Sequence, residues 1–358
     1  MAQTDTFVIL TPGFPSDEYD STCLPAQQRF VLTLKKNFPA LNLIILSFQY
    51  PYQSEKYYWN GIEVIPFNGR NRARVHRLLL WRKVWKELES IRSSGSISGI
   101  MSFWYGECAF VGKRFADKYS LRHICWLLGQ DAKNDNRYVQ RAHLAPDEMA
   151  AVSDFVADEF ERNFFIRPAY VIPNGITSVS EKVPLKDIDV IGVGSLIPLK
   201  RYNRFIDCID GIRRYFPQIR AVICGKGPEE ATLLRHIEKC GLSEKIFLPG
   251  ELDTTDVQEM MQRSKVLLHP SSYEGFSTVC LEALAAGTQV ISFCQPMHEN
   301  IPGWHVVSSF PEMQMKLIEL LNENENCAPS APYLMTDSVI RLMDLFSYEH
   351  SAKSSDLI

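Results

Sequence analysis

The chain has 358 residues and a net charge of −4 at pH 7, and its composition is 46% hydrophobic and 22% charged. These values argue against a disordered chain and against a strongly basic nucleic-acid-binding protein, and the length exceeds what one core usually supports, so two domains are predicted. No apolar stretch reaches about 18 residues and no basic leader segment is present, so neither a spanning helix nor a signal peptide is predicted.

The nine cysteines form no C-x-x-C pair and show no zinc-ligand spacing. Several lie in apolar runs, where cysteine behaves as a small hydrophobic residue. We therefore predict reduced thiols and a cytoplasmic location.

The chain opens with a predicted strand, loop and helix. Residues 7–10 form an apolar run of strand length, Gly13 lies in the loop that follows, and helical periodicity covers residues 27–36. This order is typical of a nucleotide-binding entry. The G-x-G-x-x-G fingerprint is missing, which argues against an NAD-binding first domain.

Residues 70–86 form a strongly basic stretch with five arginines, two lysines and no acidic residue. Its apolar side consists of Val75, Leu78, Leu79, Trp81 and Trp85. One interpretation is a helix that lies on an anionic membrane surface. The other is a helix packed on its own sheet with a solvated basic face. Nucleic-acid binding is not indicated elsewhere in the chain.

Asp131 lies in the loop after a predicted strand at residues 123–128. Loops at the carboxyl ends of parallel strands border the ligand crevice of an α/β sheet, so Asp131 is a candidate binding residue. Capping of the following helix is the alternative, and the sequence does not decide between them.

The second half of the chain also alternates strands, loops and helices. Residues 178–186 are polar and predict a linker, and strands are predicted at residues 188–193 and 221–224. The loops that follow these two strands contain Gly194, Ser195, Lys200, Gly225 and Lys226.

Residues 266–293 predict a strand, a loop, a helix and a second strand, which is one unit of a parallel α/β sheet. Glu274 lies in the loop and Glu282 within the helix. Unpaired N–H groups at a helix N-terminus bind anions such as a diphosphate, and Gly275 allows close approach of a ligand. The N–H groups predicted to do so belong to Phe276, Ser277 and Thr278.

A carboxylate beside an anion site indicates a ligand that also carries hydroxyl groups. Carboxylate oxygens accept hydroxyl hydrogens, whereas they repel a bare phosphate. Phosphate plus polyol predicts a nucleotide sugar, a sugar phosphate or a dinucleotide. The alternative is that Glu274 caps the helix and Glu282 is a solvated helix residue.

Five motifs in register resemble those of retaining glycosyltransferases of family 4, the glycosyl transferases group 1, which have the GT-B fold. They are I-P-N-G at residues 172–175, V-G-S-L-I-P-L-K at 193–200, I-C-G-K-G-P at 223–228, F-L-P-G at 247–250, and Glu274 and Glu282 with seven residues between them. Each motif is weak alone, but the set is specific.

The resemblance implies an α/β protein with two Rossmann-like domains that face a cleft. Residues 1–176 would form the acceptor-side domain and residues 187–330 the nucleotide-sugar-binding domain. A C-terminal helix around residues 335–350 would cross back to the first domain.

The resemblance also implies residue roles. Glu282 would hold the ribose hydroxyls and Lys200 would neutralise the departing diphosphate. Glu274 would hold sugar hydroxyls near the reacting carbon, and Asp131 would contact sugar or acceptor hydroxyls. The other implied donor-binding residues are Gly275, Phe276, Ser277, Thr278, Gly194, Ser195, Gly225, Lys226, Gly13 and Asn174.

Two positions depart from the family pattern. Ser195 stands where the family has an arginine that clamps the diphosphate together with the lysine, so one bidentate contact is missing. Leu128 stands where many members have a histidine that contacts the donor sugar.

The implied activity is retaining transfer of a sugar from a UDP- or GDP-linked donor to a glycan or lipid-linked acceptor. No metal ion or other cofactor is expected. The enzyme would be cytoplasmic, with residues 70–86 as its contact with the inner face of a membrane. A GT-B sugar-nucleotide epimerase and a catalytically degenerate GT-B binding subunit are the alternatives. The sequence does not specify the donor, acceptor, linkage or oligomeric state.

Overall fold

A computed structural model of the chain describes residues 5–73, 75–179, 184–323 and 327–348. The chain divides into two compact units, Met1–Asn174 with Met335–Ile358, and Gly175–Leu334. Part of the predicted linker, residues 180–183, lies outside the described residues.

Unit 1 is built on a sheet with eight strands among the described residues. The strands are β1 (Thr6–Gly13), β2 (Asn42–Tyr50), β3 (Tyr57–Trp59), β4 (Ile62–Pro66), β5 (Ile97–Phe103), β6 (His123–Leu127), β7 (Met149–Ala151) and β8 (Tyr170–Val171). Their spatial order is β3-β4-β2-β1-β5-β6-β7-β8, and every pair is parallel except β3 with β4.

Helices cover this sheet, which explains the unbroken apolar runs of its central strands. The helices that precede the second unit are α1 (Pro25–Asn37), α2 (Val75–Ser94), α3 (Glu107–Tyr119), α4 (Val139–Ala142) and α5 (Asp154–Phe164). The core includes Phe7 and Ile9 of β1 and Phe30 of α1, all fully buried.

The C-terminal helix, Met335–Asp344, belongs to unit 1. The Ser338 hydroxyl donates to the carbonyl of Pro173 at 2.6 Å. Just after the helix, the ring of Phe346 contacts the ring of Phe7 at 4.8 Å between centroids. A Cβ at Gly99 would lie 2.6 Å from the Phe346 ring, so a glycine there leaves room for it. The predicted return of the chain to the first domain is therefore present.

Unit 2 contains a parallel sheet with six strands in the part of the chain described. They are β9 (Ile188–Val193), β10 (Ala221–Cys224), β11 (Ile246–Gly250), β12 (Ser264–His269), β13 (Gln289–Ser292) and β14 (Trp304–Val306). The helices of this unit are α6 (Tyr202–Ile212), α7 (Glu230–Lys239), α8 (Thr254–Gln262), α9 (Thr278–Ala285) and α10 (Phe310–Glu323). The C-terminal helix of unit 1 is labelled α11.

The strand order of this sheet, β11-β10-β9-β12-β13-β14, has a switch point. Successive strands run outward in one direction from β9 to β11, and in the other from β12 to β14. In a doubly wound sheet, ligands bind outside the carboxyl ends of the strands where the order reverses. That position lies between β9 and β12, which are hydrogen-bonded neighbours.

Two helix boundaries differ from the sequence expectations. The basic stretch was expected to be helical from residue 70, but Arg70 and Asn71 have left-handed φ angles of 53° and 54°, and α2 begins at Val75. Arg74 lies outside the described residues. The donor-side helix was expected to offer N–H groups from Phe276 onward, but α9 begins at Thr278, with Ser277 at the N-cap position.

Candidate active site

The loops after β9 and β12 meet at the switch point of the second sheet. Lys200 ends a short 3₁₀ turn, Pro198–Lys200, and Glu274 lies between β12 and α9. The backbone N–H of Ser272 donates to the carbonyl of Leu199 at 3.0 Å, and the Ser271 hydroxyl donates to the same carbonyl at 3.2 Å. Both loops are thus held together one residue away from Lys200.

Glu274 has two basic partners in this site. The Lys200 ammonium donates a hydrogen bond to Glu274 Oε1, and His269 Nε2 lies 3.1 Å from the same oxygen. The side chains of Lys200 and Glu274 are 18% and 16% exposed, and that of His269 is 3% exposed. The more exposed part of the cluster is therefore the lysine–glutamate pair, and the histidine is buried beneath it.

Electrostatics keep Glu274 ionised. Burial alone would raise its pKa, but the hydrogen bond from His269 and the charge of Lys200 outweigh burial and lower the pKa of Glu274 to about 2. Burial lowers the pKa of His269, although the nearby Glu274 opposes that shift. A neutral His269 that carries its proton on Nε2 donates to the carboxylate and fixes its orientation.

Glycines border the same crevice on the β9 and β10 sides. A Cβ at Gly225 would lie 2.0 Å from the carbonyl oxygen of Gly194, and one at Gly227 would lie 2.4 Å from that of Leu196. Gly194 and Gly225 also have φ angles of +144° and +149°, which side-chain-bearing residues rarely adopt. The two loops are packed backbone against backbone, and Ser195 and Lys226 are exposed at their tips.

The helix after the Glu274 loop begins at Thr278 with Ser277 at its N-cap position, so Ser277 and Thr278 lie at the helix N-terminus and Phe276 precedes it. Phe276 is 7% exposed, and its ring packs against Trp304 and Tyr333, so its side chain anchors the loop in the core of unit 2. Gly275 is buried, and Glu282 is half-buried on α9. The binding roles of these residues stay predictions.

Asp131 makes structural contacts in unit 1. Its carboxylate accepts backbone N–H groups from Tyr105 at 2.9 Å, Leu128 at 3.1 Å and Gly129 at 2.8 Å, and the residue is 6% exposed. Burial raises the pKa of Asp131, while these N–H donors act against the increase. These contacts hold the backbone of the loop. They are not the helix cap that was the alternative, because Asp131 lies inside the short 3₁₀ turn Gln130–Ala132, whose N-cap position is Gly129. The binding role of Asp131 stays a prediction.

Gly13 and Asn174 also lie in unit 1. A Cβ at Gly13 would make ordinary contact, 3.6 Å from the Cβ of Tyr50, so space does not require glycine. Asn174 is 6% exposed, and its Oδ1 has no hydrogen-bond partner within the described part of the chain. Both donor-binding assignments stay predictions.

The sequence interpretation missed His269 of the site, and it did not single out Glu107 of unit 1. His269 ends the apolar strand β12, and a polar residue at the carboxyl end of a buried strand was the available signal. Glu107 begins α3 near the switch point of the first sheet, where β1 and β5 are neighbours. It accepts hydrogen bonds from Trp81 and Gln49, which are distant in sequence.

Two absences hold for the residues that the structure describes. No group of three or more histidine, cysteine, aspartate or glutamate side chains that could hold a metal ion occurs among them. None of their helices is long and apolar enough to cross a membrane.

Residues 176–328 match the family of glycosyl transferases group 1. The gpi3 subunit of phosphatidylinositol N-acetylglucosaminyltransferase from Schizosaccharomyces pombe is 31% identical over 127 residues, which are 34% of this chain and 28% of that protein. An uncharacterised glycosyltransferase of Methanocaldococcus jannaschii is 27% identical over 252 residues, 66% of this chain and 69% of that protein. The chain thus spans little more than a quarter of the yeast relative it matches.

Similarity to solved structures extends over nearly the whole chain. The structure of Anabaena HepE in complex with UDP and glucose has a TM-score of 0.66 and 16% identity, and the match covers 96% of this chain and 95% of that one. At this identity the match shows the fold alone. The GT-B fold predicted from the sequence is confirmed, and the predicted family resemblance is confirmed for the group 1 domain.

Proposed function

We propose that this chain, whose residues 176–328 form a glycosyl transferases group 1 domain, transfers a sugar from a UDP- or GDP-linked donor to a glycan or lipid-linked saccharide. The observation that carries the proposal is the contact of Lys200 and His269 with Glu274 at the switch point of the second sheet. That position is where doubly wound sheets bind nucleotides.

Lys200 is the group that meets the donor diphosphate. In the free chain its charge is neutralised by Glu274. A diphosphate carries more negative charge than one carboxylate, so donor binding draws Lys200 to the phosphates, and the departing nucleotide diphosphate keeps it there. Backbone N–H groups at the start of α9 add to this stabilisation.

Glu274 is then free to accept hydroxyl hydrogens of the donor sugar while His269 keeps it oriented. Two hydrogen-bond acceptors at a fixed angle position the sugar's reacting carbon relative to the acceptor. Glu282, on the following helix, holds the ribose hydroxyls. Retention of configuration is part of the proposal and is supported by the family motifs.

In this proposal, protein groups neutralise the charge of the diphosphate in place of a metal ion. Ser195 stands where the family clamp has an arginine. In this proposal the exposed Lys226 on the adjoining glycine loop supplies the second positive charge in its place. In this proposal Asp131 contacts sugar or acceptor hydroxyls, and Gly13 and Asn174 belong to the donor-binding residues.

The acceptor is proposed to be a glycan or a lipid-linked saccharide. The yeast relative is named for transfer to phosphatidylinositol, which supports a lipid-linked acceptor. The proposed location is the cytoplasmic face of a membrane, contacted through residues 70–86, whose basic charge supports attraction to anionic lipid.

The test is incubation of the purified chain with a panel of UDP- and GDP-sugars, with and without a membrane lipid extract. Free nucleotide and the identity of the remaining donor sugar are measured. Nucleotide release that requires the extract supports transfer. Conversion of the donor sugar without release indicates an epimerase. Binding without either reaction indicates a degenerate binding subunit, and no binding at all contradicts the proposed donor site.

A further inference from the structure

Helix α2 has two apolar faces, and unit 1 buries only one of them. Leu80, Val84, Leu88 and Ile91 are buried, with the spacing of one helical face. Val75, Leu78 and Leu79 point away from that face and are 65%, 57% and 48% exposed. Packing of α2 on its own sheet therefore explains the first set and leaves the second set unexplained.

The exposed residues border a groove of about 370 Å³. Its size falls within the range of about 300–1,000 Å³ that is usual for ligand sites. The lining is mostly apolar and comes from α2 and α3 together, namely Val75, Leu78, Leu79, Trp81, Arg82, Trp85, Phe110, Val111 and Arg114.

Contacts within unit 1 hold the walls of the groove in place. The Trp81 indole donates to the Glu107 carboxylate at 2.9 Å, and the Trp85 indole donates to Glu89 at 3.1 Å. The ring of Trp81 lies 4.8 Å from the ring of Phe110 between centroids. Both indole N–H groups are thus satisfied inside the unit, and the ring faces left in the groove are apolar.

Two cationic side chains lie at the opening. Arg82 of α2 and Arg114 of α3 line the groove and are exposed, and the guanidinium of Arg114 lies 4.5 Å from the centre of the Phe110 ring. The stretch from residue 70 to residue 86 contains no acidic residue. An apolar groove with a cationic rim is complementary to an acyl chain below an anionic head group.

We infer that the α2–α3 groove binds an acyl chain of an anionic phospholipid and docks unit 1 on a membrane surface. This inference rests on the proposed membrane location and gives that location a specific surface. The leucines enter the acyl region, and the rim cations meet the head-group phosphates. Lipid binding can be measured without any donor, so its failure is separable from a failure of sugar transfer.

The experiment is co-flotation of the full chain with two kinds of vesicle, one of phosphatidylcholine alone and one of phosphatidylcholine with phosphatidylglycerol. We expect binding to the anionic vesicles. The double variant Leu78→Ser/Leu79→Ser should weaken it by at least about 30-fold, because it removes the apolar surface that the two leucine side chains would bury in the lipid. Arg82→Gln/Arg114→Gln should weaken it by about 30-fold, at about fivefold per charge.

Matched controls lie on unit 2. Leu234→Ser/Met315→Ser changes two apolar helix residues that are 48% and 63% exposed, and Arg235→Gln/Lys239→Gln removes two exposed charges on α7. Both controls should bind as the unmodified chain does. Circular dichroism and urea unfolding verify that every variant is folded. We expect all of them to fold, because substitutions at exposed positions usually change stability little.

Three results would overturn the inference. The first is the absence of binding to either vesicle. The second is equal binding by the groove variants and their controls. The third is concentration-dependent self-association that Leu78→Ser/Leu79→Ser abolishes without any vesicle binding, which would assign the groove to a second copy of the chain.

Discussion

Replacement of Lys200 by methionine separates the two functions that the site geometry gives this lysine. Methionine keeps the length of the side chain and removes its charge. In the free chain the change takes one of two basic partners from Glu274. In the proposed reaction it removes the charge that meets the leaving diphosphate. The first effect is on stability and the second on catalysis, so they can be measured independently.

The size of the stability effect follows from the lowered pKa of the Glu274 carboxylate. The pKa of Glu274 falls from 4.5 to about 2 despite burial, which corresponds to about 3 kcal/mol of stability at neutral pH. His269 and Lys200 together supply this net amount and also offset the burial of the carboxylate, so we expect Lys200→Met to cost at least about 1–2 kcal/mol in urea unfolding. The double variant Lys200→Met/Glu274→Gln should lose less than the sum of the two single variants, because no charge is left without its partner.

The catalytic effect follows from the loss of one charged hydrogen bond in the transition state. Such a bond contributes about 1.5–3 kcal/mol, so kcat/KM for acceptor-dependent nucleotide release should fall by about 10- to 100-fold. The matched control is Lys265→Met, which removes a lysine that pairs with Asp189 at 2.9 Å in the same unit. It should keep the activity of the unmodified enzyme.

Two outcomes would refute this reasoning. If Lys200→Met and Lys265→Met lost equal activity, Lys200 would have no specific part in catalysis. If the double variant Lys200→Met/Glu274→Gln recovered activity together with stability, the lysine would serve only to neutralise the glutamate.

Three further predictions concern the same crevice. His269→Leu should lower kcat more than it raises KM, because Glu274 loses its orienting donor, and His269→Gln, which retains an N–H donor, should recover part of the rate in steady-state kinetics. Gly225→Ala should abolish donor binding measured by calorimetry, because its methyl group would collide with the Gly194 carbonyl 2.0 Å away, whereas Gly106→Ala, where an added Cβ meets nothing within 4 Å, should be tolerated; equal tolerance of both changes would contradict the packing argument. The stability difference between the unmodified chain and Glu274→Gln should be full above pH 4.5 and disappear as the pH falls toward about 2, because the folded-state pKa is lowered. A pH-independent difference in urea unfolding would contradict the assignment of charge to Glu274.

The strand–loop–helix–strand unit around Glu274 could be predicted because its signals are local. The apolar run of β12 and the loop glycine Gly275 are read directly from neighbouring residues, and the structure places α9 directly after that loop. The start of α9 was set two residues too early, because Phe276 fits the apolar period of the helix although its ring packs into the core from the preceding loop.

The contacts that define the site are not local, and this is where sequence reasoning ended. Lys200 and Glu274 are 74 residues apart, and the order of β9 and β12 in the sheet brings them together. His269 was missed because only the fold shows that its ring points toward the same carboxylate. The family motifs predicted that Lys200 contacts the donor diphosphate, but they did not predict its ion pair with Glu274.

Helix α2 shows that apolar periodicity alone does not identify which face of a helix packs on the protein. Its sequence contains two apolar sets, and the sequence interpretation took Val75, Leu78, Leu79, Trp81 and Trp85 as the apolar side. The structure leaves the two tryptophans half-buried and the other three exposed, and it buries Leu80, Val84, Leu88 and Ile91. Which of two apolar faces meets the sheet depends on the packing of α2 against α3, which one helix alone cannot specify.

The most direct test of the donor site is the affinity of the chain for UDP- and GDP-sugars, measured by calorimetry for the unmodified protein and for Glu282→Ala. Glu238→Ala, an exposed change on α7, is the control. We predict that the unmodified chain and the control bind one donor equally well, and that Glu282→Ala loses this binding while its urea unfolding is unchanged. Unaltered affinity in the Glu282→Ala variant would contradict the assignment of the site.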